Sequence, residues 1–191
     1  MDYIKKLLQT HLPLKEEEWE LFSKHLVLHE FEAKSLIVRE GMIAHNIYFI
    51  KTGLMRSYYL EDGKEINTYF SCDGALMTVF SSFITQNASL ECLEAIEDTI
   101  AYSLSHQALY QLYQQFPKFE RFGRILAEKN YLCILDRTLL MQSKTAKQRY
   151  LDFIENSPEK LVQKLPLYQI ASFLGIAPES LSRIRRELLE P

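Results

Sequence analysis

Residues 166–189 read Pro166-Leu-Tyr-Gln-Ile-Ala-Ser-Phe-Leu-Gly175-Ile-Ala-Pro178-Glu-Ser-Leu-Ser-Arg-Ile-Arg-Arg-Glu-Leu-Leu189. Read as two short helices about a sharp turn, the stretch gives each of seven positions a task in a helix-turn-helix. Ala171 keeps the first helix slim enough for the second to cross it closely. Gly175 ends the first helix and supplies the backbone freedom of the turn. Ile170, Leu174, Ile176, Leu181 and Ile184 fill the angle between the helices. Pro178 suits the first position of the second helix, where its missing N–H would have no partner anyway.

Wound at about 3.6 residues per turn, the second helix turns Leu181, Ile184 and Leu188 inward and Glu179, Ser182, Arg183 and Arg186 outward, with Arg185 on a flank. A carboxylate can accept from cytosine N4, an arginine fork matches guanine O6 and N7, and the remaining cations suit phosphates. The expected DNA-contacting set is Glu179, Ser182 and Arg183 at the bases, with Arg185, Arg186, Tyr168 and Gln169 along the backbone, and Ser180 also within the set. An ordinary helical hairpin with a solvated charged face is the simpler alternative. The spacing of the seven positions favours DNA.

Working outward, the last 49 residues carry eight Lys and Arg against six Asp and Glu, whereas the whole chain of 191 residues has a net charge of −3. The sign changes where the helix pair begins. An apolar content of 47% supports real cores. The three cysteines, Cys72, Cys92 and Cys133, are scattered and odd in number, so neither a disulfide framework nor a zinc site is expected. No stretch has the length and apolarity of a membrane span and no secretory signal is apparent, so a cytoplasmic protein with no membrane partner is expected.

Upstream, residues 2–12 and 15–28 read as amphipathic helices broken at Pro13. The period then changes to two. Residues 35–40, 46–51, 54–60, 65–71 and 99–104 are short and rich in Ile, Val, Tyr and Phe, and turn residues separate them. Asp62-Gly63 favours a primed hairpin turn. Such strands imply an antiparallel jelly-roll or barrel. Helix returns over residues 106–115 and, after Pro117, over a long segment to about Gln142. Its apolar positions cover more than one face, so one face can pack on the strands and another on a second copy. Phe122, Ile125, Leu126, Leu132, Cys133 and Leu139 are the expected dimer-helix residues. A further helix over 145–156 is closed by Ser157-Pro158.

Strand-rich part, long helix and helix-turn-helix follow in that order. With Tyr48-Phe49-Ile50-x-x-Gly53, Asp62-Gly63-Lys64-Glu65 and Ala177-Pro178-Glu179-Ser180-Leu181-Ser182-Arg183, the chain resembles the Crp/Fnr family of bacterial transcription regulators, in the branch common in Bacteroidetes. The resemblance implies an α+β chain: a cyclic-nucleotide-binding-like β-roll effector domain (1–116), a dimerisation helix (117–142) and a C-terminal all-α DNA-binding domain (143–191). It also implies a homodimer on palindromic double-stranded DNA, with recognition helices about 34 Å apart, and RNA polymerase as a possible partner. Glu179 and Arg183 match the family's base-reading positions. Two positions depart from the family pattern. Pro178 stands where an arginine often precedes the glutamate, and Ala177 lacks a capping hydroxyl worth about 1 kcal/mol.

Family members that bind cyclic nucleotides hold the ribose with a Glu and the phosphate with an Arg, because a buried phosphate must be neutralised. The corresponding segment here, Ala75 to Leu90, has no charged residue, and Ile134 and Leu135 fall where base-contacting hydroxyls are placed. Cyclic AMP in the usual mode is therefore not expected, and Arg39 and Arg56 read most simply as solvated surface charges. An uncharged or weakly polar small-molecule effector remains an option, with Met77, Thr78, Phe80, Ser81, Ser82, Phe83, Asn87 and Ser89 as its candidate pocket. The other option is a filled roll that needs no ligand. No metal site, no cofactor and no catalytic constellation is expected, although isolated His25, His29, His45 and Cys72 leave haem ligation open. A different reading keeps the sensing module and gives a degenerate helix-turn-helix to protein contacts.

Overall fold

The structure is a computed structural model and describes residues 1–189. The chain starts with two helices, α1 (Asp2–Gln9) and α2 (Glu16–Ser23). Eight strands follow: β1 (Val27–Phe31), β2 (Leu36–Val38), β3 (Asn46–Thr52), β4 (Leu54–Glu61), β5 (Lys64–Cys72), β6 (Leu76–Met77), β7 (Cys92–Ala95) and β8 (Thr99–Ser105). A short helix, α3 (Phe80–Thr85), lies between β6 and β7. Six helices complete the described chain: α4 (His106–Gln115), α5 (Pro117–Ser143), α6 (Ala146–Asn156), α7 (Glu159–Lys164), α8 (Leu167–Leu174) and α9 (Pro178–Leu189).

The strands form two antiparallel four-stranded sheets, ordered β1-β8-β3-β6 and β2-β7-β4-β5, which face each other as a jelly-roll. The β4–β5 hairpin turns at Asp62 and Gly63, both with positive φ (50° and 74°). That is the mirror-image turn expected of Asp-Gly, and it sets Glu61 opposite Lys64. The helix expected over 15–28 stops at Ser23: Val27–Phe31 pairs with β8 instead, joining the sheet edge. β6, β7, α3 and α7 are further elements whose shortness hides them from pattern reading.

Two cores result. The first lies between the sheets and under α1, α2, α4 and the start of α5, with Phe22, Phe49, Phe119 and Phe122 fully buried at its centre. Phe22 meets Phe119 at 5.5 Å and Phe49 edge-on at 6.1 Å. The second core joins the last four helices to the outer face of β4 and β5, where Leu54, Phe70 and Cys72 pack with Phe153, Leu161, Ile170 and Leu174. The helix-turn-helix pair is thus docked on the roll. At about 2 kcal/mol for each fully buried large apolar side chain, this interface is a substantial part of the chain's burial.

Candidate nucleic-acid interface

The turn between α8 and α9 forms as the sequence requires. Gly175 is left-handed (φ 61°, ψ 42°), its N–H reaches the Ser172 carbonyl, and the Ile176 N–H reaches back to the Ala171 carbonyl at 2.9 Å. This closure satisfies two of the free carbonyls at the end of α8. Ile170, Ala171, Leu174, Ile176, Leu181 and Ile184 are all buried. Leu188 is not: it is 40% exposed, so the inward stripe expected of α9 ends at Ile184.

Glu179, Ser182, Arg183, Arg185 and Arg186 are exposed along α9, and Ser180 is half-buried. Among the described residues, Arg183, Arg185 and Arg186 take part in no salt bridge, while Glu187 lies 3.7 Å from Lys147 of α6. The helix therefore presents a carboxylate, a hydroxyl and three guanidinium groups on a braced backbone. Such a surface can meet base edges and phosphates together.

Of the two residues expected on the DNA backbone from α8, only Tyr168 is exposed. Gln169 is 4% exposed and lies against β5. Its side-chain amide donates to the Tyr168 hydroxyl and its carbonyl faces the Asn67 side chain. The cause is the docking of α8 on the roll, which sequence spacing does not reveal.

That docking rests on polar contacts as well as on the second core. The Ser172 hydroxyl donates to the Glu65 carbonyl (2.7 Å) and accepts from the Asn67 N–H (3.0 Å). Lys160 of α7 pairs with Asp73 (2.8 Å) and Glu97 (2.6 Å) on the roll. Burial pushes the Lys160 ammonium down, but the hydrogen bonds to these carboxylates outweigh it and raise its pKa. Arg56, expected as a solvated charge, is 3% exposed under the same interface. Its guanidinium meets Glu94 at 2.6 Å and Glu65 at 2.7 Å and lies 4.2 Å from the Tyr58 ring centroid. A lone arginine between Met55 and Ser57 gives no sign of such partners, because they come from other strands.

Two expected dimer-helix residues face their own chain. Phe122 is buried in the first core and Leu126 packs on it, because the first turns of α5 lie along the roll and α4. Ile125 is half-buried. Further along, Leu132 is 54% exposed and Leu139 is likewise uncovered, with Tyr131, Ile134 and Leu135 beside them. Cys133 is exposed, and partial desolvation by its surroundings pushes its thiol pKa up; Cys72 and Cys92 are free and buried.

The candidate effector residues form a folded segment with its own internal bonding. Met77 and Phe83 are buried in the first core. Thr78 donates to the Asn46 carbonyl, Ser82 to Asn87 and Ser89 to Glu91, and the Ser82 hydroxyl also accepts from the Ala44 N–H. Three of the hydroxyls are thus engaged in hydrogen bonds within the roll. Phe80 is half-buried, while Ser81 and Asn87 are exposed. Among the described residues no three His, Cys, Asp or Glu gather as a metal site would require, and no helix is long and apolar enough to cross a membrane.

The cyclic nucleotide-binding domain family matches residues 28–116, the roll and the helix that follows it. No curated protein matches the chain in sequence. Among solved structures, FixK2 from Bradyrhizobium japonicum superposes with a TM-score of 0.74 at 21% identity, covering 85% of this chain and 84% of that one. A protein described as a transcriptional regulator of the crp/fnr family from Eubacterium rectale superposes at 0.71 and 19% identity, over 94% and 88%. The c-di-GMP responsive global regulator CLP of Xanthomonas campestris does so at 0.68 and 18%, over 92% of both chains. Residues 28–116 thus match the cyclic nucleotide-binding domain family, and nearly the whole chain shares its fold with these three structures.

Proposed function

We propose that this chain is a sequence-specific DNA-binding transcription regulator that acts as a homodimer and is not an enzyme. The observation that carries the proposal is the α9 surface, where Glu179, Ser182, Arg183 and Arg186 stand exposed on a helix held by a closed hydrophobic angle. In this reading residues 1–116 are the sensor-type part, 117–142 the dimer helix and 143–191 the DNA-reading part. The exposed apolar side chains Leu132, Ile134, Leu135 and Leu139 on α5 support pairing with a second copy. Two copies related by a two-fold axis then present two α9 helices to the half-sites of a palindrome.

The same proposal places no cyclic AMP in the roll. The segment from Ala75 to Leu90 offers no arginine to a phosphate, and its buried hydroxyls already hold the loop. DNA binding without an added ligand is the expected behaviour. Titration of the purified protein with duplex DNA at several salt concentrations tests it. A steep fall of affinity with salt is expected from the phosphate-facing cations. Failure to bind any duplex would refute the reading and favour protein contacts through α9.

A further inference from the structure

β5 is the outermost strand of its sheet, and it bulges where α5 passes. Ser57 faces Tyr69 and Tyr58 faces Asn67, so Thr68 between them is the extra residue of the bulge, with no residue opposite it in the β4 register. The carbonyls of Asn67 and Thr68 meet the guanidinium of Arg137 from α5. Nη1 donates to Thr68 at 2.7 Å and Nη2 to Asn67 at 2.9 Å. Nη2 also donates to the Phe173 carbonyl at 3.0 Å, in the last turn of α8. The guanidinium carbon lies 4.5 Å from the centroid of the Phe173 ring, which itself packs on Phe70 and Phe153. One side chain thus joins the long helix, the roll and the helix-turn-helix pair. A planar fork with several donors can do this, and the negative end of α8 favours the cation; a lysine ammonium has neither the span nor the plane.

We infer that Arg137 is the positioning residue that fixes α8, and with it α9, relative to α5 and the roll. The docking leaves Glu179, Ser182, Arg183 and Arg186 exposed, so it restrains the reading helix without covering it. In a dimer paired through α5, the two reading helices are then held at a set separation. A rigid link raises the effective concentration of the second reader at its half-site, an advantage that a single half-site does not sense. This consequence for DNA rests on the reading of α9 proposed above.

The test uses the full-length protein with Arg137→Lys and Arg137→Ala. Amide hydrogen exchange is followed on α8, with β3 and β8 as internal controls. Affinity is measured for the palindrome selected by the wild type and for a duplex with one half-site. Exchange on α8 should quicken about tenfold or more while β3 and β8 keep their protection. The palindrome should be bound about tenfold or more weakly, and the half-site as before. Unchanged exchange would overturn the inference. So would equal loss on both duplexes, which marks a general defect, or tighter binding of the palindrome, which marks an inhibitory contact. If the wild type binds no duplex, the DNA reading fails, and the exchange result alone decides: faster on α8 sustains the clasp, unchanged overturns it. Should Arg137→Ala fail to fold, Arg137→Lys keeps the charge and the stem and carries the same test.

Discussion

Arg56 and Glu94 form an ion pair at 2.6 Å beneath the helix-turn-helix pair, in the layer where the roll meets α8. Asn67 takes a third donor of the same guanidinium at 3.2 Å and reaches the Gln169 carbonyl with its own amide. A buried charge held in this way costs little while it is paired, and much once a partner is removed. Arg56→Met should destabilise the protein by about 3 kcal/mol, read by denaturant unfolding. Adding Glu94→Gln should recover part of the loss, because the stranded carboxylate is then neutral.

Gly53 has φ of +128°, and a Cβ there would lie 2.7 Å from the Thr99 backbone Cα. Backbone cannot yield as a flexible side chain can. Gly53→Ala should cost about 3 kcal/mol or more through strain and overlap, seen as a lowered unfolding midpoint or loss of soluble protein. A midpoint equal to wild type would show that β3 and β8 can part locally.

The long helix α5 is buried at its start and exposes apolar side chains further along, and substitutions should separate the two stretches. Phe122→Ala should remove about 3–5 kcal/mol of fold stability from the first core. Leu139→Glu should leave the thermal midpoint of the dilute protein nearly unchanged and move the monomer–dimer equilibrium toward monomer, measured by sedimentation. A lowered midpoint with an intact dimer would place Leu139 inside its own chain.

The Glu18 carboxyl is held below its usual pKa of 4.5 first by the hydrogen bond from Lys118 and then by the Lys15 backbone N–H. With the folded value depressed, the group stabilises the fold above the unfolded pKa, and this contribution disappears as pH falls through the folded value. Lys118→Met should therefore be less stable than wild type near neutral pH, and the two should converge in acid. A constant difference across that range would remove the pair from the acid response.

On the exposed face of α9, the proposed DNA reading predicts that Arg183→Ala loses about 1–3 kcal/mol of discrimination at one base pair per half-site. Arg186→Ala should weaken all sequences alike and lower the salt slope by about one per protomer. A selected-sequence profile unchanged by Arg183→Ala would take that residue out of base readout.

Much of this was legible in the chain. Asp62-Gly63 fixes a mirror-image turn through local backbone preference, and the helix-turn-helix spacing around Gly175 fixes its own closure. Both are decided by neighbours in sequence. What stayed hidden depends on distant partners. Val27 and Leu28 read as the end of a helix until β8 offers them an edge, and Leu126 is as apolar as Leu132 until the roll covers one and not the other. Arg137 and Ser172 carry no motif, because their partners on β5 are main-chain atoms that any sequence would supply.

The central claim is that the ligand-free protein reads DNA through a pair of α9 helices. Selection from random duplex DNA with purified protein and no added ligand tests it most directly. The account predicts an enriched palindrome with half-site centres about one helical turn apart. No enrichment from protein shown to be folded and dimeric would contradict it.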